Sequence, residues 1–122
     1  MTTSTGKRIL VVDDEASIRT LYSQELRDEG YLVEAVASAE EAARALERQP
    51  ADLLILDIEL PGKDGLAYLR EVMERYRDLR VVISSAYHSY KDDFASWSAE
   101  AYLVKSSDLD PLKAKVRELL TK

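Results

Sequence analysis

Three carboxylates, a hydroxyl and an ammonium group follow the ends of short apolar runs in this chain of 122 residues. These groups belong to Asp13, Asp14, Asp57, Ser85 and Lys105. Carboxylate oxygens suit a hard divalent ion such as Mg²⁺, with Mn²⁺ as an alternative. A carboxylate beside such an ion can attack phosphorus and form an aspartyl phosphate. The ammonium and the hydroxyl can then neutralise and hydrogen-bond the phosphoryl oxygens.

Repulsion among the three carboxylates supports the same interpretation. At about 5 Å and an effective dielectric constant of about 20, each pair of like charges costs about 3 kcal/mol. Such a cluster is tolerated only with cations nearby or with raised pKa values. Lys105 can offset part of the repulsion, and a divalent ion can offset more.

Five short apolar runs must position these groups. Four of the five do not alternate with polar residues, which is typical of parallel strands buried on both faces. Helical patterns separate the runs, so we predict a doubly wound α/β sandwich with right-handed crossovers. Ligands bind such sheets outside the carboxyl ends of the strands, where the polar groups would meet. The runs are 9–12, 31–36, 53–56, 81–84 and 101–104.

The helical patterns carry their own start and stop signals. Ser38 and Glu41 form a capping box, and Gly30 supplies a stop for the preceding helix. Asp110 followed by Pro111 predicts an N-cap and first-position pair. A short or mobile helix is predicted over 88–98. The other predicted helices cover 17–29, 38–49, 66–76 and 109–121.

Composition and charge narrow the function classes. The chain has 46% hydrophobic and 33% charged residues, which is typical of a globular domain. A net charge of −6 argues against nucleic-acid binding by this segment, since a phosphate backbone demands a basic surface. The absence of cysteine excludes disulfides and thiolate metal sites. Without a signal peptide or a membrane-spanning run, we expect one cytoplasmic domain over 1–122 with its core at about 7–120.

Four motifs in order, VVDDE, LLILDIELPGKDG, VVISSA and YLVK, resemble the receiver domain of two-component response regulators. The resemblance covers residues 7–120. It implies a flavodoxin-like (βα)5 fold with a five-stranded parallel sheet in the order 2-1-3-4-5. It also implies that the chain is a signalling switch, either complete in itself or a fragment of a longer regulator with an output domain downstream.

The resemblance implies specific roles for the acidic residues. Asp57 would accept the phosphoryl group. Asp13 and Asp14 would hold Mg²⁺ together with Asp57 and the main-chain carbonyl of Glu59. Glu59, two residues past Asp57, would also flank the site with its side chain.

Three further residues would respond to phosphorylation. Lys105 would pair with Asp57 or its phosphate, and Ser85 would hydrogen-bond the phosphate. Tyr102 matches the aromatic switch position of receiver domains. Tyr87, two residues past Ser85, would flank the site and limit access of water to the phosphate.

The sequence departs from the receiver pattern after the lysine, where such domains usually have a proline and often a cis bond. Ser106 stands there instead. Because a cis bond before a residue other than proline costs about 3 kcal/mol or more, we expect a trans or strained loop. Trp97, within the helix predicted over 88–98, is a candidate anchor for binding a protein partner. His88, the only histidine, is expected to be exposed and not catalytic.

The expected phosphoryl donor is a histidine kinase or a phosphotransfer protein. The expected output face is 88–121, which would bind a downstream domain or protein partner, or a second copy after phosphorylation. The domain would not be an enzyme beyond slow autodephosphorylation. Two alternatives stay open: a haloacid-dehalogenase-like phosphatase with Asp57 as nucleophile, and a receiver-shaped binding module that is never phosphorylated.

Overall fold

The computed structural model describes residues 6–57, 65–85, 100–106 and 108–121. Within these ranges the chain forms five strands and four helices. The predicted helix over 88–98 lies outside the described residues. The strands are β1 (Arg8–Val12), β2 (Leu32–Val36), β3 (Leu53–Asp57), β4 (Arg80–Ser85) and β5 (Ala101–Val104). The helices are α1 (Ala16–Asp28), α2 (Ala39–Arg48), α3 (Gly65–Arg75) and α4 (Asp110–Leu120).

The five strands form one parallel sheet in the order β2-β1-β3-β4-β5. This order confirms the fold implied by the resemblance. β3 lies at the centre, between β1 and β4, and all of its residues are buried. Its C-terminal residue, Asp57, therefore lies at the carboxyl end of the sheet, with a neighbouring strand on each side.

Two apolar layers cover the sheet. Alternate strand residues face opposite layers: Leu10 and Val12 pack with residues of α2 and α3, whereas Ile9 and Val11 pack with residues of α1 and α4. Because both faces of the inner strands are covered, both sets of their side chains are mostly apolar. This burial explains the uninterrupted apolar runs in the sequence.

The ends of α1 and α2 follow the predicted signals. Ser38 Oγ accepts a hydrogen bond from the backbone N–H of Glu41 at 3.1 Å, and Glu41 Oε1 accepts one from the N–H of Ala37 at 3.2 Å. Gly30 follows α1 with a φ of 100°, a left-handed conformation that glycine adopts without steric cost. The predicted Ser38 cap and glycine stop are confirmed, and Glu41 reaches back as predicted but to the N–H of Ala37, one residue before the N-cap.

The start of α4 differs from the prediction. Asp110 is the first residue of the helix, and Leu109 occupies the N-cap position that we assigned to Asp110. The carboxylate of Asp108 accepts a hydrogen bond from the N–H of Asp110 at 3.0 Å. An aspartate two residues upstream therefore supplies a local turn, which is a common alternative to a side-chain cap. Pro111 still lies in the first turn.

The helices of the described residues are all too short or too polar to span a bilayer.

Candidate functional site

The carboxyl ends of β1 and β3 bring three acidic side chains together. Asp13 follows the last residue of β1, and Asp57 is the last residue of β3, its neighbour in the sheet. Asp13, Asp14 and Asp57 each offer a carboxylate oxygen, and these oxygens lie within 4.8 Å of one another. Asp13 and Asp57 are only 2% and 3% exposed, whereas Asp14 is exposed. The cluster is therefore buried at its base and open to solvent on one side.

Lys105, directly after β5, faces this cluster. Its Nζ atom lies 2.8 Å from Asp13 Oδ2 and 3.1 Å from Asp57 Oδ2. It also lies 3.4 Å from the carboxylate of Glu15, which is exposed. The lysine side chain itself is only 11% exposed. A single ammonium group thus bridges the ends of β1 and β3.

The pKa values of two site residues are shifted by this environment. Burial raises the pKa of Asp13 above its ordinary value, and its hydrogen bond with Lys105 only partly offsets that rise. Burial alone would lower the pKa of Lys105, but its hydrogen bond to Asp13 and the charge of Asp57 outweigh burial and raise that pKa. The lysine is therefore held in its charged form. Lys105 offsets only part of the negative charge of Asp13, Asp14 and Asp57.

Backbone and side-chain hydrogen bonds hold the loop that carries Asp13. The N–H of Asp13 donates to the carbonyl of Val36 at 3.1 Å. Arg19 Nη1 donates to the carbonyl of Asp13 at 2.9 Å, and the N–H of Glu15 donates to Asp13 Oδ1 at 2.9 Å. The carboxylate is thus oriented by its own chain before any ligand arrives.

The end of β4 carries Ser85, which is fully buried. Its carbonyl accepts a hydrogen bond from the N–H of Lys105 at 2.7 Å, so the β4–β5 ladder continues as far as the lysine. Tyr102 lies on β5 opposite Ile83 and is buried in the layer that contains α2 and α3. Both residues therefore lie on the two strands beyond Asp57, on the side away from Asp13.

The serine that replaces the usual proline after Lys105 is not preceded by a cis bond. The bond between Lys105 and Ser106 is trans, as are the other peptide bonds of the described residues. Ser106 Oγ accepts a hydrogen bond from the N–H of Asp108 at 3.0 Å. The trans alternative is therefore the one adopted, and a serine side chain organises the turn into α4.

The donor set fits a hard divalent cation. Three carboxylates at the carboxyl ends of β1 and β3 offer oxygen ligands only, and two of them are already oriented by hydrogen bonds or an ion pair. Mg²⁺ binds in proteins through a few carboxylates and keeps several waters. The exposed side of Asp14 leaves room for such waters.

A family model for the response regulator receiver domain matches residues 9–117. The chain belongs to this family. As a receiver domain it is a signalling domain of two-component systems, in which the receiver accepts a phosphoryl group.

Solved receiver structures agree with this assignment. The response regulator TrrA of Thermotoga maritima, in complex with Mg²⁺ and BeF, superposes with a TM-score of 0.86 at 44% identity. The match covers 93% of this chain and 98% of that one. The same regulator in complex with the histidine kinase ThkA matches with a TM-score of 0.85 at 45% identity, with the same coverage of both chains.

Among curated proteins, the two-component response regulator PhoP of Pseudomonas aeruginosa is 33% identical over 115 residues. That match covers 93% of this chain and 51% of PhoP. The receiver domain thus spans about half the length of this relative.

The receiver domain contains contacts that sequence reasoning missed. Glu15 contacts Lys105, and the hydroxyl groups of Tyr22 and Ser84 share a hydrogen bond of 3.1 Å. Both hydroxyl residues are buried. A tyrosine within the apolar stripe of a helix and a serine within a buried strand were the available signals, since each leaves a polar atom in the core that needs a partner.

Two predicted site residues, Glu59 and Tyr87, lie outside the described residues, as do His88 and Trp97.

Proposed function

We propose that Asp57 of this receiver domain accepts a phosphoryl group from the phosphohistidine of a histidine kinase or phosphotransfer protein. One observation carries the proposal: a buried carboxylate at the end of the central strand lies among two further carboxylates and a lysine ammonium. A carboxylate in such a place is a nucleophile whose surroundings can neutralise an incoming anion.

The transfer involves one bond made and one broken. A carboxylate oxygen of Asp57 attacks phosphorus, the P–N bond of the donor breaks, and the imidazole leaves and takes up a proton from solvent. Because the transferring group is anionic, catalysis consists mainly of positioning and charge neutralisation. Lys105, whose Nζ lies 3.1 Å from Asp57 Oδ2, would balance charge on the phosphoryl oxygens.

We propose Mg²⁺ as the cofactor, with Mn²⁺ as a substitute. Asp13, Asp14 and Asp57 would hold the ion, together with the main-chain carbonyl of Glu59. When bound, such an ion neutralises charge on the phosphoryl oxygens and orients them. The Mg²⁺ and BeF bound to TrrA, a receiver 44% identical to this one, support this choice.

Three residues would respond to phosphorylation: Ser85, Lys105 and Tyr102. The acyl phosphate adds negative charge beside Lys105, so the ammonium and the Ser85 hydroxyl would be drawn towards it. Tyr102 would be the switch residue: its side chain would change position together with Ser85 and Lys105 and so alter the surface that a partner binds. The burial of Ser85 and Tyr102 on the adjacent strands β4 and β5 supports a coupled response.

The proposed partners follow from the family. The complex of ThkA with TrrA supports a histidine kinase as donor. The match covers only 51% of PhoP, which supports an output domain in a longer regulator. We propose that such a domain contacts the 88–121 face. A phosphorylation-dependent homodimer would use the same face. We place the domain in the cytoplasm. We also propose that it is not a turnover enzyme, and that it loses phosphate only slowly by itself.

Intact-mass spectrometry tests the proposal. Wild-type protein is incubated with acetyl phosphate and Mg²⁺, beside Asp57→Asn and the matched control Asp78→Asn, which removes an exposed acid far from the site. Wild type and the control should gain one phosphoryl group, and Asp57→Asn should gain none. An adduct on Asp57→Asn would place the acceptor elsewhere, and steady phosphate release from a phosphomonoester would favour the phosphatase.

A further inference from the structure

Helix α1 contacts both strands that flank β3. Arg19 donates to the carbonyl of Asp13 at the end of β1, at 2.9 Å. One turn further along, the Tyr22 hydroxyl hydrogen-bonds Ser84 Oγ on β4 at 3.1 Å. Since β1 and β4 are the two neighbours of β3, α1 spans the sheet across the strand that ends in Asp57.

The contact between Tyr22 and Ser84 lies in an apolar environment. Both residues are buried, and Tyr22 packs with Ile9, Val11 and Ile55 in the layer beneath α1. A buried hydroxyl without a partner loses the hydrogen bonds that water would give it. Each of the two hydroxyl groups therefore restrains the other, although they are 62 residues apart in the chain.

Ser84 occupies a central place in the site. It pairs in register with Asp57 on β3 and with Leu103 on β5. The next residue, Ser85, accepts a hydrogen bond from the N–H of Lys105 at 2.7 Å. The end of β4 thus lies between the proposed acceptor and the lysine that faces it, and a shift of β4 would change the distance between them.

We infer that Tyr22 and Ser84 are positioning residues for phosphoryl transfer, because their hydrogen bond holds the end of β4 against α1 and so sets Ser85 and Lys105 relative to Asp57. This inference rests on the proposed acceptor role of Asp57. The side-chain ligands that we propose for Mg²⁺ lie at the ends of β1 and β3. Loss of the hydrogen bond should therefore slow phosphorylation at saturating Mg²⁺ without raising the half-saturating Mg²⁺ concentration.

Three variants separate positioning from stability. Tyr22→Phe and Ser84→Ala each remove one hydroxyl, and the double variant removes both. Ser84→Ala leaves the tyrosine hydroxyl buried without its partner, which destabilises the fold, whereas the double variant removes that unpaired group. Tyr31→Phe is the matched control: it also removes the hydroxyl of a tyrosine that packs in the layer beneath α1, but this residue lies past the C-terminal end of the helix.

The experiment measures the initial rate of phosphorylation by acetyl phosphate over a range of Mg²⁺ concentrations, well below the melting temperature of each variant. We expect all three variants to be slowed about fivefold, with Tyr31→Phe at the wild-type rate. The inference is overturned if Tyr22→Phe and the double variant match wild type, or if only the destabilised Ser84→Ala is slow. A wild-type protein that gains no phosphoryl group would refute the proposed function itself, and the inference with it.

Discussion

Lys105 Nζ lies 3.1 Å from Asp57 Oδ2, although the lysine follows β5 and the aspartate ends β3, with β4 between them. The long side chain of Lys105 crosses the end of β4 to reach the carboxylate. The same ammonium contacts Asp13 at 2.8 Å. The lysine therefore balances the acidic site from within the fold, and it shares its carboxylate partners with any bound cation.

Replacing Lys105 should separate cation binding from phosphoryl transfer. In Lys105→Met, Asp13 and Asp57 lose their ammonium partner, so the site becomes more negative. We expect Mg²⁺ to bind about tenfold more tightly and phosphorylation by acetyl phosphate to slow by at least about tenfold. Isothermal titration calorimetry and initial rates measure the two effects. Lys113→Met, which removes an ion pair with Glu25 on the surface, is the control; weaker Mg²⁺ binding by Lys105→Met would contradict this account.

Asp14 offers a direct test of the cation site because it is exposed and its loss leaves the core intact. A ligand that binds only the folded state raises the melting temperature. Wild-type protein should therefore melt at higher temperature in millimolar Mg²⁺, and Asp14→Asn should lose most of that increase. Asp28→Asn, which removes another exposed acid at the C-terminal end of α1, should keep that increase. An equal Mg²⁺ response in Asp14→Asn and wild type would remove Asp14 from the site.

Tyr68 makes the stability depend on pH in the alkaline range. Burial, with smaller contributions from Tyr76 and Glu71, raises the pKa of Tyr68 to about 12 from an ordinary value of 10.0. The unfolded chain therefore loses this proton first, so the contribution of Tyr68 is complete below pH 10 and is lost as pH rises towards 12. The free energy of unfolding can be measured with denaturant at pH 9 and at pH 11. Between these two pH values it should fall by about 1 kcal/mol more in wild type than in Tyr68→Phe. Equal losses would show that Tyr68 ionises normally.

Two leucines on strands of the same sheet should differ sharply in their contribution to stability. Leu56 on β3 is fully buried, whereas Leu32 on the edge strand β2 is 50% exposed. Leu56→Ala should lower the free energy of unfolding by about 2–5 kcal/mol because it leaves a cavity in a close-packed core. Leu32→Ala should cost less than about 1 kcal/mol. Chemical denaturation measures both, and comparable losses would mean that β3 is not the centre of the core.

Much of the fold could be predicted from the sequence because the inner strands β1, β3 and β4 are buried on both faces. The runs at 9–12 and 53–56 differ from the observed strands by one residue each. The strand order came from the resemblance, since apolar runs alone do not say which strands are neighbours. The N-cap of α4 was predicted one residue too late. The carboxylate of Asp108 accepts a hydrogen bond from the N–H of Asp110, and Asp110 is the first residue of the helix.

For the site, residue type and position were sufficient to predict that Asp13, Asp14 and Asp57 lie together, because parallel strands end at one edge. The contact between Tyr22 and Ser84 could not be predicted in the same way. It depends on where the crossover places α1 over the sheet, and both residues were interpreted as ordinary parts of their helix and strand.

Locating the phosphoryl group on the chain tests the central claim most directly. Sodium borohydride reduces an acyl phosphate to an alcohol, so a phosphorylated aspartate is converted to homoserine and can be found by peptide mass spectrometry. After acetyl phosphate and Mg²⁺, we predict homoserine at position 57 alone, and none when Mg²⁺ is removed by a chelator. Homoserine at Asp13 or Asp14, or its absence from position 57 in protein that has gained the phosphoryl mass, would contradict the account.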